Sequence, residues 1–185
     1  MYGLEKLAPG RMFYYFALWP WNSVATRSSA PFEIWQVVTY GFLHEVQNYA
    51  HIFFNMFALF MFGSDIERSM GVTRYLTYYF VCIVGAALAQ LTVLAFSNGP
   101  HYYTVGASGA VFGILLAFAI AFPERRLIVF PIPIPMPARV FVTLYCILEL
   151  VLGITGTQQG VAHFAHLGGA AAGYLLILYW RHAPR

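Results

Sequence analysis

YLTYYFVCIVGAALAQLTVLAFSNGPHYYTVGASGAVFGILLAFAIAFP, residues 75–123, runs for 49 positions without an Asp, Glu, Lys or Arg. A bilayer crossing takes about 20 apolar residues, so this stretch holds two crossings and a turn at SNGPHYY (97–103). The whole chain agrees: 9% of its 185 residues are charged and 60% hydrophobic, where a soluble domain carries about 25% charged residues. The sequence therefore reads as a polytopic membrane protein, an all-α transmembrane bundle whose solvent is lipid.

Working outward, five stretches are apolar enough to cross: approximately 46–64, 75–96, 104–122, 140–154 and 161–180. Polar, Gly or Pro punctuation separates them, at GSDIERSMG (63–71), SNGPHYY, PERR (123–126) and GTQQG (156–160). IVFPIPIPMPARV (128–140) has proline at every second position from Pro131 to Pro137, which excludes a helix interior and predicts an extended connector. We read residues 1–185 as one domain, with an N-terminal segment over 1–45 and a helical core over 46–181. Within that segment, the short aromatic run at 12–20 ends in Pro20 and reads as an interfacial or re-entrant piece. It does not read as a cleavable signal peptide, because a basic start and a small-residue cleavage site are missing.

Basic residues orient the bundle. Arg68, Arg74, Arg125, Arg126, Arg139, Arg181 and Arg185 fall on one side, and Lys6, Arg11 and Arg27 on the other. Seven against three places the C-terminus in the cytoplasm, and the first, third and fifth spans then start at the outer face. The net charge of +3 is too small to argue for nucleic acid. Cys82 and Cys146 lie in apolar stretches without CxxC or Cys/His spacing and read as buried thiols.

Polar residues then fall at a common depth. Ser108 lies about four residues into the third span, roughly 6 Å below its outer end at 1.5 Å per residue. His166 and His51 are each about five residues into their own spans, and Asn55 is one turn below His51 on the same face. Polar groups at such depth face the protein interior or a water-filled cavity. Gly109 and Gly113, and Gly169 and Gly173, are spaced four apart and predict close approach of the third and fifth spans, which would bring Ser108 to His166. A serine beside an imidazole is an activated nucleophile. Asn55, His51 and the Ser108 amide are candidate donors to an oxyanion.

Other motifs fail. GASGA (106–110) is not a G-x-S-x-G elbow, and HEVQN (44–48) lacks the second histidine of a zinc HExxH. A metal trio of His51, His163 and His166 has no cysteine or carboxylate evident beside it. Glu149, the one charged-type residue inside a span, is either protonated or partnered at its depth. Two roles are open to it: fastening the fourth span to the fifth through a neighbour such as His163, or orienting a site histidine.

EIWQVVTYGFLH (33–44), HIFFN (51–55) followed by MFALFMFG (56–63), GASGAVFG (106–113) and AHFAHLGGAAAG (162–173) together resemble the rhomboid intramembrane serine proteases, over about residues 13–181. The resemblance implies a Ser–His dyad of Ser108 and His166, with His51 and Asn55 supporting the oxyanion and no cofactor or metal. It implies transmembrane segments of other membrane proteins as substrates, cut within the bilayer by a site open to the outer face. His166, three residues before Gly169, matches the family's catalytic histidine, leaving His163 a supporting role. Phe112, four after the serine, matches a residue that packs on that histidine. FYYFALWP (13–20) resembles the loop after the family's first helix, with no helix-length apolar run before it. The alternative is a rhomboid-like scaffold that binds membrane clients without cutting them; such relatives lack the serine or the histidine.

Overall fold

The computed structural model describes residues 9–23, 29–96, 102–129, 132–156 and 161–183. Lys6, Arg27, Arg185 and most of the connectors read at 97–103 and 156–160 lie outside these. In chain order the elements are α1 (Pro9–Phe16), α2 (Gln36–Thr39) running into a 3₁₀ turn (Tyr40–Phe42), and α3 (Tyr49–Ala58). A π-helical stretch (Leu59–Gly63) carries α3 into α4 (Ser64–Met70). Then follow α5 (Val72–Phe96), α6 (Ser108–Ala121), β1 (Arg126–Val129), β2 (Ile132–Pro137), α7 (Ala138–Thr155) and α8 (His163–His182).

Each of the five stretches read as a span is helical, but among the described residues two helices, α5 and α7, are both long and apolar enough to cross a membrane. α6 is apolar and shorter. It is also the centre of the molecule, with ten of its fourteen residues buried. α7 is the opposite case: among its residues only Ala138, Val142 and Glu149 are buried. Its Leu144, Ile147, Val151 and Ile154 are exposed, as are Phe53, Phe57 and Phe60 along α3 and its continuation. Apolar surface of this extent needs an apolar solvent.

The proline-alternating segment departs from a purely helical fold. It is extended as expected, but β2 pairs antiparallel with β1 in a two-stranded hairpin, Leu127 opposite Met136 and Val129 opposite Ile132. Successive strand residues direct their amides to opposite edges, so prolines at every second position remove N–H groups from one edge and leave the other able to pair. At this end of the bundle Arg125 bonds Asp65 at the start of α4 and lies over the rings of Phe118 and Phe122.

The N-terminal segment is built into the fold rather than lying apart. Phe13, Ala17, Trp19, Ala30 and Leu43 form a small core of their own. The Trp19 amide donates to Gln36 Oε1 at 3.2 Å, and Thr39 Oγ1 donates to the Phe16 carbonyl at 2.8 Å. Leu18 and Thr104 exchange both backbone hydrogen bonds, at 3.0 and 2.9 Å. That bridge ties the segment to the chain leading into α6.

α5, α6 and α8 pack at the distance that small residues permit. A Cβ at Gly169 of α8 would collide with the Gly109 carbonyl of α6, a backbone atom that cannot rotate away. Gly169→Ala is therefore expected to force α6 and α8 apart, at the upper end of the about 1–3 kcal/mol that overpacking costs. The checks are a lowered thermal transition in detergent and loss of any activity that depends on the α6–α8 pairing; a wild-type transition would contradict this packing.

Candidate active site

Ser108 is the first residue of α6: the helix begins here and not near Thr104, where the sequence started the span. The reason lies in the preceding loop. Thr104 is held by the bridge to Leu18, and the Gly106 amide donates to the Tyr40 carbonyl at 3.0 Å. Gly106 adopts φ +120°, open to glycine and strained for other residues, and a Cβ there would lie 2.6 Å from His51 Nε2. The chain can turn into helix only after it has passed His51. The first intrahelical bond runs from the Val111 amide to the Ala107 carbonyl, so the amides of Ser108, Gly109 and Ala110 open the helix with no helical carbonyl to accept them. The serine hydroxyl thus sits at the positive end of a helix.

Across from it, α8 brings His166. Its Nε2 lies 2.7 Å from Ser108 Oγ. Two further contacts fix the imidazole. Phe112, one turn along α6 from the serine, stacks on it with ring centroids 4.5 Å apart and planes 5° apart. The other ring nitrogen, Nδ1, is 2.7 Å from Glu149 Oε2 of α7. The same carboxylate oxygen is 2.8 Å from His163 Nδ1, so Glu149 lies between the two histidines and reaches both. Three helices meet at this point.

Glu149, His163 and His166 form a group with donor atoms within 4.8 Å of one another. Separations of 2.7 and 2.8 Å are hydrogen-bond distances; ligands arranged tetrahedrally at zinc–nitrogen distances stand about 3.3 Å apart. The spacing suits shared protons better than an ion. His51, weighed with these two histidines as a metal trio and set aside from the sequence, is not part of this group.

His51 accepts a hydrogen bond at Nδ1 from the Glu45 amide, 3.4 Å away. Its Nε2 therefore carries the proton. Both His51 Nε2 and Ser108 Oγ lie within 4 Å of one point beside Gly106. His44 stacks edge-on against His51 at 5.2 Å. Burial, and secondly the neighbouring imidazole, push its pKa down to about 4, so His44 is neutral at physiological pH. Asn55 is buried and donates one amide proton back to the His51 carbonyl at 2.8 Å. That bond braces the His51 turn and leaves the second amide proton of Asn55 uncommitted by it.

Of the residues singled out by the sequence, Ser108 and His166 are in hydrogen-bond contact, His51 Nε2 lies beside Gly106 two residues before the serine, and Asn55 bonds the His51 carbonyl. The sequence did not anticipate Tyr40, which holds the Gly106 loop by its carbonyl and donates its hydroxyl to the Ile83 carbonyl of α5 at 2.9 Å. No local signal marks that residue beyond its place in EIWQVVTYGFLH. Cys82 is buried as expected, whereas Cys146 is only half-buried.

Fold and site together define a helical integral membrane protein with a serine–imidazole pair in its interior. Residues 31–183 match the Rhomboid domain, and the chain belongs to the rhomboid family. It is 34% identical over 151 residues to the rhomboid protease AarA of Providencia stuartii, covering 74% of this chain and 53% of that one. It is 29% identical to rhomboid protein 1, mitochondrial, of Saccharomyces cerevisiae, covering 70% and 37%. It is 30% identical to rhomboid-like protease 3 of Toxoplasma gondii, covering 80% and 52%. The chain spans about half or less of the length of these relatives.

Proposed function

We propose that this protein is an intramembrane serine protease that hydrolyses peptide bonds in or near transmembrane segments of other membrane proteins. The observation that carries the reading is the 2.7 Å approach of Ser108 Oγ to His166 Nε2, at a helix N-terminus inside an apolar bundle. Proteases among the named relatives support the reaction class.

The chemistry follows from the geometry. Ser108 Oγ attacks the scissile carbonyl carbon while its proton passes to His166 Nε2. The carbonyl π-pair moves onto oxygen, where the Ser108 amide, the positive helix end and the Nε2–H of His51 can receive it, with Asn55 bracing or joining them. Collapse breaks the C–N bond, and the proton on His166 goes to the departing amine. Water then attacks the acyl-serine and gives a proton to the same nitrogen; as the acyl C–O bond breaks, His166 returns that proton to Ser108 Oγ. A substrate helix must unwind locally to expose its carbonyl, so weak helix formers near the cut lower the barrier.

The basic residues orient the site toward the outer side, and helix length gives its depth. α6 has 14 residues, or about 21 Å at 1.5 Å per residue. With Arg125 and Arg126 at the inner interface of a core about 30 Å thick, Ser108 lies about 9 Å below the outer edge, within reach of water. The C-terminus is then cytoplasmic, in keeping with the arginines flanking that face.

The test is incubation of the purified protein in detergent with a model single-span substrate. Two fragments whose junction lies in or beside the span are expected; an intact substrate retained in complex with the protein would favour the non-catalytic scaffold. Within the same assay, His51→Ala and Asn55→Ala are each expected to cost about 10²–10³ in rate, the usual loss for one oxyanion donor. Wild-type rates in both would remove these residues from the oxyanion assignment.

A further inference from the structure

We propose that Glu149 is a positioning residue which, with His163, makes the Ser108–His166 pair a buried Ser–His–Glu triad; the inference rests on the protease reading above. A serine protease needs its base to present a lone pair at the nitrogen facing the serine, so the proton must reside on the opposite nitrogen. Nothing intrinsic to imidazole selects that tautomer; the partner of the far nitrogen does. Here that partner is Glu149 Oε2, 2.7 Å from His166 Nδ1.

The second histidine decides the protonation of the group. Oε2 contacts both Nδ1 atoms, and His163 Nε2 is buried with no hydrogen-bond partner among the described residues. With any carboxyl proton on the shared Oε2, three neutral-imidazole arrangements can satisfy both contacts. A protonated Glu149 donating to His166 leaves Nε2–H facing Ser108 Oγ, and the base is lost. A protonated Glu149 donating to His163 leaves a buried, unpaired N–H at His163 Nε2, a rare and costly orphan. An ionised Glu149 accepts from both Nδ1–H groups, turns the orphan of His163 into a lone pair, and gives His166 the base tautomer. Only the third both leaves no orphan at His163 and keeps the base tautomer of His166 that the protease reading requires. Two N–H donors on one oxygen also supply what a buried carboxylate requires.

His163 therefore contributes through Glu149, holding the carboxylate ionised and aimed, and does not touch the reacting atoms. When the serine proton arrives at His166 Nε2, the resulting imidazolium is bonded to a carboxylate already in place. The electrostatic work is done by folding three helices together.

The experiment compares Glu149→Gln, Glu149→Asp and Ser108→Ala in the detergent cleavage assay, with substrate titrated to separate kcat from KM. Replacing the acid of a serine-protease triad by its amide lowers kcat about 10⁴-fold, and Glu149→Gln is expected to lose about 10²–10⁴ in kcat with KM little changed. Glu149→Asp, which keeps the charge, should recover a measurable part of that loss. Turnover by Glu149→Gln within about threefold of wild type, beside an inactive Ser108→Ala, would overturn the triad and leave the dyad standing. Cleavage by Ser108→Ala would instead overturn the protease reading itself. Because Glu149 is one of few buried residues of α7 and the glutamine variant can fail to fold, ¹⁵N-histidine NMR of the wild-type protein provides an independent reading. Nδ1–H signals are expected at both His163 and His166, and an Nε2–H tautomer at His166 overturns the proposal.

Discussion

Ser108→Ala is expected to abolish cleavage while the protein remains folded. Removing either the nucleophile or the histidine from a serine-protease unit costs about 10⁶ in kcat, below detection for a membrane enzyme in detergent. Structure should survive because the loss is a single hydroxyl at the first position of α6, where alanine is a favoured helix former. The backbone amides that open the helix and the loop anchored on Tyr40 do not involve the hydroxyl. The hydrogen bond to His166 Nε2 is lost, but that nitrogen is then a lone pair at the edge of a cleft rather than a buried donor. The measurement is fragment formation from a single-span substrate, alongside thermal unfolding of both proteins. Retained cleavage in a clean preparation would falsify the dyad, and a collapsed melting transition would show that the serine is needed for packing.

The two histidines of HFAH are expected to respond very differently. His166→Ala removes the base that touches Ser108, together with a ring stacked on Phe112, and should lose about 10⁶ in kcat. His163→Ala leaves that contact in place. It removes one hydrogen bond to a carboxylate, worth about 1.5–3 kcal/mol, so the expected result is a lower thermal transition with measurable turnover. The ranking is read directly from initial rates of equal amounts of folded protein. An inactive His163→Ala beside an active His166→Ala would mean that the base lies one turn earlier on α8, which the 2.7 Å contact from Ser108 contradicts.

Much of this architecture is legible in the residues because hydrophobicity and charge are local properties that add along the chain. The uncharged run at 75–123 separates two helices wherever the rest of the fold goes. The proline alternation at 131–137 forbids a helix by removing amides, whatever it packs against. The glycine pairs at 109/113 and 169/173 announce that two backbones meet, since small residues at that spacing have little other use in an apolar helix. Less was legible at element ends. The third span was expected to begin at Thr104, yet the helix starts at Ser108, because Leu18 and Tyr40, distant in sequence, capture the intervening backbone in other hydrogen bonds. Asn55 was expected to aim at the oxyanion, and its amide spends one proton on the His51 carbonyl of its own helix.

The sequence by itself determined a helical membrane protein of the rhomboid kind and named the serine and histidine at its centre, since GASG, HxxxN and AHxxG are each confined to a few consecutive residues. Only the tertiary structure decided where Glu149 lies. Its separation from His163 and His166 is 14 and 17 residues, across a connector, and its helix is held to the bundle by few buried side chains. Nothing local says which way such a helix is rotated. The rotation is set by the burial of Ala138, Val142 and Glu149 together. A carboxylate in an apolar bundle has no water to turn to, so it settles where two imidazole N–H groups can be reached at once.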